Sequence, residues 1–327
     1  MGGSSMIVSV SRRTDIPAFY SDWFMDKIEQ GYLYVMNPFN RKQVSKIILT
    51  PNTVDCFVFW TKDAAPIIDK LPILDARGFK YYFQFSLTPY NRDIEPGIKD
   101  KNQVVHTFIR LSELIGKEKV IWRYDPILLS NQYNKEYHYT MFEKLCKRLS
   151  GYTEKCVISF MDMYTKTERN TRELGLIDIT EEDMIEIAAK LAYIAGKYGL
   201  YIETCTERID LSFLNIQKGK CIDDKTIERI LGCPITVKKD DTQREACGCV
   251  KSIDIGQYNT CKHFCVYCYA NYNRAQVMEN CEAYDIHSPL LIGKLKNDET
   301  ITIREMKSIK CKESSDQLSF DFLNEMR

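Results

Sequence analysis

The sequence predicts an α/β protein built from parallel strands that alternate with helices, followed by a cysteine-rich segment. Three observations carry this. Six short apolar or β-branched runs, at residues 7–10, 54–60, 81–87, 119–124, 156–160 and 200–204, recur at intervals of roughly thirty to fifty residues, as a chain of βα units requires. The runs are nearly continuous in apolar character, the mark of parallel strands buried on both faces. Beyond residue 205 this rhythm stops and cysteines become frequent.

The helical intervals are also legible. Thr180 stands three residues before Asp183 as a capping box, and Met184, Ile187, Leu191 and Ile194 keep the spacing of one buried helix face. Gly199 is placed to end that helix. No internal repeat or low-complexity tract interrupts the order.

Each apolar run gives way to polar residues. The strand ends read Ser11-Arg12-Arg13-Thr14-Asp15, Thr61-Lys62-Asp63, Ser86-Leu-Thr88, Arg123-Tyr-Asp125-Pro126, Asp162 and Glu203-Thr-Cys205. One such end is an ordinary solvated loop. Six in register predict a site along one rim, because in β/α architectures the carboxyl ends of parallel strands carry function.

Composition bounds the rest. The chain has 327 residues, 44% hydrophobic and 28% charged, as expected of a globular enzyme with a large core. Lysine plus arginine and aspartate plus glutamate both number 45, so no global field selects a polyanionic partner. No apolar run reaches membrane-spanning length and no secretory pattern opens the chain, so a cytoplasmic protein without membrane contact is expected. The leading Met-Gly-Gly-Ser-Ser, residues 1–5, has the look of a cloning scar. In a reducing compartment, 13 cysteines are expected as metal ligands, catalytic groups or core thiols rather than disulfides. Cys56, Cys146 and Cys156 fall in apolar patterns and read as core.

The most specific stretch is Cys261-Lys-His-Phe-Cys265-Val-Tyr-Cys268. Three cysteines so spaced on a short loop can present thiolates to one face of an inorganic cluster. A [4Fe-4S] cluster normally takes four thiolates, so three would leave one iron open to another chelator. A zinc knuckle completed by the Cys247-Gly-Cys249 pair, or a disulfide cluster, is the competing reading.

The spacing, with Tyr267 as the aromatic before the third cysteine, resembles the CxxxCxΦC motif of radical S-adenosylmethionine (SAM) enzymes. The segment from FVFWTKDAAP to WRYDPILL resembles the middle of their spore photoproduct lyase-like branch: a Thr-Lys strand end, a Ser-Leu-Thr end, a Glu-Pro pair and a strand ending in Asp-Pro, in that order. From SVSRRTDIP to CYANYN, over residues 6–295, the chain resembles a bacterial and phage family related to that branch. The resemblance implies a partial (β/α)6 TIM-like barrel over residues 6–205. It further implies a cysteine-rich iron–sulfur segment over 206–295 that folds over the barrel mouth, and a tail over 296–327. It implies a [4Fe-4S] cluster on Cys261, Cys265 and Cys268, SAM on the open iron, an electron donor of flavodoxin or ferredoxin type, and a 5′-deoxyadenosyl radical that removes a hydrogen atom from a substrate.

One departure from the family order is that the cluster loop comes after the sixth strand rather than the first. The arrangement reads as a permutation, which frees Arg12, Arg13 and Asp15 to meet SAM or substrate, or else to pair with one another. Arg12, Asp15, Arg123 and Asp125 are the expected catalytic set. Lys62, Ser86, Thr88, Glu203 and Tyr267 are the expected SAM contacts, with Lys62 and Arg123 suited by charge to a carboxylate. Cys205, Cys221, Cys247 and Cys249 are expected to hold a second, auxiliary [4Fe-4S] cluster; zinc or unliganded thiols are the alternatives, and Cys233 reads as a turn residue.

The substrate is open to three readings: a nucleic acid undergoing lesion repair or base modification, a small metabolite or peptide, or none, the chain being a zinc-stapled binding module. For the first, Tyr90, Trp122 and Tyr124 are candidates to stack on an extruded base. The terminal Gln317-Leu-Ser-Phe-Asp-Phe322 loosely resembles the tail by which bacterial repair proteins bind the sliding clamp, with packing on its own domain as the plainer reading.

Overall fold

A computed structural model describes residues 4–161, 171–296 and 298–311. Its centre is one sheet of eight strands, all parallel, in the order β7-β6-β5-β4-β3-β2-β1-β8. The strands are β1 (Ile7–Val10), β2 (Cys56–Thr61), β3 (Tyr81–Ser86), β4 (Val120–Ile127), β5 (Lys155–Phe160), β6 (Tyr201–Thr204), β7 (Gln217–Lys218) and β8 (Ile253–Asp254). The first six are the expected six. Each lies beside its predecessor, so all their carboxyl ends open on one side. The last two, only two residues each, come from the cysteine-rich segment and extend the sheet at both edges.

Both faces of the central strands are buried, which is why their sequences do not alternate. In β2 and β3, Phe57, Phe59 and Phe83 face the main core, whereas Val58 and Tyr82 face a second cluster that includes Cys221, Cys247 and Cys249. Helices Lys101–Ile115, Lys135–Leu149 and Glu181–Lys197 pack on the main-core side through residues such as Phe108, Phe142 and Leu191. Thr180 and Asp183 form the reciprocal capping box, and Gly199 takes a φ of +69° just beyond the helix end. Cys56, Cys146 and Cys156 are fully buried core thiols.

Tyr90, Trp122 and Tyr124 are not a stacking platform. All three are completely buried and spend their polar atoms on Pro126 O, Leu87 O and His138 Nδ1 respectively. Asp162 and the clamp-like hexapeptide lie outside the described residues. No described helix is long and apolar enough to cross a membrane.

Candidate active site

The late position of the cysteine loop has a concrete form. Segment 253–256 runs parallel to β1, with Ile253 beside Val8 and Asp254 beside Ser9, and the cysteine loop leaves from the carboxyl end of this added strand. The loop therefore has its own strand rather than borrowing the end of β1. Asp254 locks the rim by accepting from Ser9 Oγ (3.0 Å), Ser11 Oγ (2.5 Å) and the Arg12 N–H (2.8 Å). Gly256 is required for this contact, since a Cβ there would stand 2.6 Å from Ser11 Cβ.

Two buried carboxylates dock the loop. Asp15 accepts from Thr61 Oγ1 (3.1 Å), the Lys62 N–H (2.7 Å) and the Ala18 N–H (2.9 Å), and pairs with His263 Nε2 at 2.8 Å. Its acceptor capacity is spent on holding β1, β2 and the cysteine loop together, so it positions the loop rather than meeting substrate. Glu95 does the same between β2, β3 and Tyr267. It accepts from Lys62 Nζ (2.8 Å), Thr88 Oγ1 (2.8 Å), Lys101 Nζ and the Tyr267 hydroxyl. Burial alone would raise the Glu95 pKa, but Lys62 and Lys101 outweigh it and hold it at about 2. Burial likewise opposes the charge on Lys62, yet Glu95 raises its pKa; at Lys101 burial wins and the pKa falls.

Backbone bonds complete the docking: Gly97 N–H donates to His263 O (2.9 Å) and Val266 N–H to Ile94 O (3.0 Å). Gly97 has no room for a side chain, because a Cβ would press on Lys262 O and stand 2.7 Å from His263 Cα. The Glu95-Pro96-Gly97 run thus supplies both the ionic anchor and the close approach. The sequence shows the Glu-Pro pair without disclosing this role; an acidic residue beside Pro-Gly, with lysines at 99 and 101, is the only local signal of it.

Cys261, Cys265 and Cys268 sit together on this loop. Burial raises the pKa of all three thiols, Cys265 to about 12. His263 Nδ1, within the loop, and Asn271 Oδ1, three residues past Cys268, are buried without a partner among the described residues, so the polar capacity of this region is not closed by protein alone.

A cavity of about 580 Å³ lies above the strand ends. The cysteine loop lines it through Tyr267 and Cys268, and the strand ends through Arg12, Lys62, Ser86, Arg123 and Asp125. The other wall is Cys205, Cys221, Cys247 and Cys249. Here Cys205 and Cys221 Sγ are 3.0 Å apart, Cys221 in turn meets Cys249, and Cys249 meets Cys247. The Cys249 hydrogen bond is the main cause of a Cys247 pKa lowered to about 7. Cys233 lies elsewhere, just beyond helix Asp224–Leu231. Among the described residues no three His, Cys, Asp or Glu side chains already surround a single point as ligands of one metal ion.

Several expected roles change. Arg123 and Asp125 belong to the body of β4, where a register shift between Tyr124 and Ile127 turns the strand. Arg123 is buried, bonds both Asp125 oxygens, and donates from Nη1 to Cys221 Sγ at 2.9 Å. It therefore faces the four-thiol wall. Burial opposes its charge, but Asp125 and the thiols raise its pKa. Arg12 and Arg13 lean toward Asp254, with Arg12 also near Asp240, rather than toward Asp15. Thr88 supports Glu95 and does not line the cavity. Glu203 pairs with Lys155 Nζ (2.9 and 3.0 Å) at the β5–β6 edge and does not line the cavity.

A second groove, of about 290 Å³, adjoins the rim at Arg13 and Gly256. Tyr258 and Tyr272 stack there with centroids 5.9 Å apart, and Arg13 lies over the Tyr258 ring. Arg41 and the exposed Phe39 flank it, and among the described residues no carboxylate lines it.

A family model described as Domain of unknown function (DUF1848) matches residues 7–270, from β1 through the cysteine loop. No curated protein matches the chain. Among solved structures, the carboxyl transferase domain from Rhizobium etli pyruvate carboxylase with pyruvate is similar at 12% identity and a TM-score of 0.22, over 71% of this chain and 46% of that one. This chain spans less than half of that domain, and so distant a likeness carries no functional argument.

Proposed function

The chain belongs to the DUF1848 family, and from the site it carries we propose that it is a radical SAM enzyme with its cluster on Cys261, Cys265 and Cys268. The observation that carries this reading is the docking of a CxxxCxΦC loop at the carboxyl ends of a parallel sheet, opening on a cavity lined by strand-end Lys62, Ser86 and Arg12. The sequential strand order supports the partial-barrel reading of the sheet. The residues fit a cluster: three thiols on one loop, Cys265 buried and Cys261 and Cys268 half-buried, with an orphaned polar atom on His263 within the loop and another on Asn271 just beyond it. When bound, a [4Fe-4S] cluster with SAM supplies reductive cleavage of SAM to a 5′-deoxyadenosyl radical.

The protein's share is positional. Asp15 and Glu95 fix the loop against β1, β2 and β3, so the three thiols keep one orientation. Tyr267, bonded to Glu95 and lying beneath Lys62 Nζ at 5.5 Å, walls the cavity between loop and sheet. Lys62 offers the cavity a cation held by a buried carboxylate, suited to an anionic group of SAM.

For substrate class the adjoining groove favours a nucleic acid. Arg41, together with Arg13 at 4.0 Å from Asp254, stacked tyrosines and a lining without carboxylates among the described residues suit a planar base beside a phosphate. Arg41 has no ion pair among the described residues, which leaves its charge for a ligand.

The test is 5′-deoxyadenosine formation by anaerobically purified, dithionite-reduced protein given SAM. Turnover in the wild type, abolished in Cys265→Ala, is the expected result. No product from an iron-loaded wild type, or persistent product in Cys265→Ala, overturns the assignment. Retention of single-stranded DNA that weakens steeply with salt, and weakens further in Arg13→Ala/Arg41→Ala, is expected of the groove. Salt-independent or unchanged retention removes the nucleic-acid reading.

A further inference from the structure

Four of the five cysteines between residues 205 and 249 have converged although they come from three separate segments. Cys205 comes directly after β6, Cys221 lies between β7 and helix Asp224–Leu231, and Cys247 and Cys249 flank one glycine in the loop before β8. Cys221, Cys247 and Cys249 are at most 5% exposed. Nothing in the apolar packing of this region requires thiols in particular, since alanine or valine would fill such positions.

Guanidiniums stand around the four thiols, Arg123 already paired with Asp125. Arg123 Nη1 touches Cys221 Sγ, and Arg12 and Arg244 line the same cavity. Ile222 N–H points at Cys249 Sγ from 3.4 Å. Guanidiniums and backbone N–H groups directed at sulfur stabilise thiolate and the anionic cluster that thiolates hold. The four sulfurs are strung in a line, 205 to 221 to 249 to 247, rather than gathered about one point. This disfavours a single tetrahedral zinc ion, whose ligands must converge. A polynuclear cluster takes each thiolate on a different metal atom, and the cavity onto which all four open gives the sulfurs space to part.

We infer that Cys205, Cys221, Cys247 and Cys249 bind a second [4Fe-4S] cluster on the wall of the cavity facing the Cys261–Cys268 loop, with Arg123 as its buried charge partner. This site goes beyond the proposed SAM chemistry and stands without it.

The experiment uses the full chain, purified anaerobically, with Cys261, Cys265 and Cys268 all replaced by alanine. Iron and sulfide analysis with an electron paramagnetic resonance (EPR) spectrum of the dithionite-reduced protein is expected to give about four irons per chain and a signal that SAM does not shift. Adding Cys221→Ser and Cys249→Ser should bring iron close to zero. A soluble triple variant without iron, or one holding stoichiometric zinc instead, overturns the inference. Should the triple variant prove insoluble, the wild type decides. About eight irons and two reduced signals, one shifted by SAM, uphold the second cluster, whereas about four irons and one signal refute it. If SAM shifts neither of two signals, the SAM reading fails and the second cluster survives.

Discussion

The two cysteine sets border one cavity, the first through Cys268 and the second through all four thiols, but are made in different ways. Cys261, Cys265 and Cys268 are neighbours in sequence, and their loop is pinned from outside by Asp15, Glu95 and the close approach at Gly97. Cys205, Cys221, Cys247 and Cys249 are distant in sequence; the first two are tied to the sheet, with Cys205 N–H donating to Ile158 O and both Tyr82 and Gln84 donating to Cys221 O, whereas the Cys247–Cys249 loop meets Cys221 through its sulfurs and the Val250–Ile222 backbone bond. A site pinned from outside keeps its shape without its ligand. One assembled from separate segments, with its Cys247–Cys249 part joined to the rest largely through the ligating groups, depends more on that ligand for order, since metal binding then contributes directly to folding.

The largest expected effect sharpens this contrast at its tightest point. Gly97→Ala pushes a methyl group into the Lys262–His263 backbone, and because misplacement by about 1 Å can cost on the order of 100-fold in rate, 5′-deoxyadenosine formation should fall by about that factor. Iron on the four-thiol wall should remain. Wild-type turnover in this variant would show that the loop is not held where the structure places it.

Breaking the ionic anchor comes next. Glu95→Ala leaves the half-buried Lys62 and Lys101 without their buried carboxylate, a change for which the about 3–5 kcal/mol of a fully buried broken pair is the upper bound. Urea unfolding should show a loss up to this size, and a loss under about 1 kcal/mol would contradict the anchor. The same carboxylate sets a pH dependence. Its folded pKa lies below the unfolded value, so its contribution is full above about pH 4.5 and is lost as pH falls towards about 2. Glu95→Gln should flatten the stability profile in that window; an unchanged slope would assign the acid sensitivity to other groups.

Metal removal should separate the two regions. After chelation, hydrogen exchange is expected to quicken across residues 206–250 while the 261–268 loop keeps its protection. Equal change in both would erase the distinction drawn between them. As a small control remote from both, Thr180→Ala should cost about 1 kcal/mol through the lost cap and leave SAM cleavage unchanged.

The same contrast explains what the sequence disclosed. The six long strands were legible because burial on both faces writes a continuous apolar run, and the cysteine spacing was legible because a loop motif is local. β8 was not: two residues carry no periodicity, and Ile253–Asp254 becomes a strand only because β1 offers it an edge. Asp15 and Thr88 were polar residues at strand ends, correctly placed along the rim, but whether such a side chain meets a ligand or another protein group depends on distant partners such as His263 and Glu95. Arg123 shows the limit most clearly. Its charge suited a carboxylate of SAM, and only the folded chain brings Cys221 within 2.9 Å of it.

The most direct test of the central claim is the EPR spectrum of the reduced wild-type protein recorded with and without SAM. A signal that SAM shifts, and that is lost in Cys265→Ala, is the predicted result. A reduced cluster signal indifferent to SAM would contradict the assignment of Cys261, Cys265 and Cys268 as a SAM-binding cluster site.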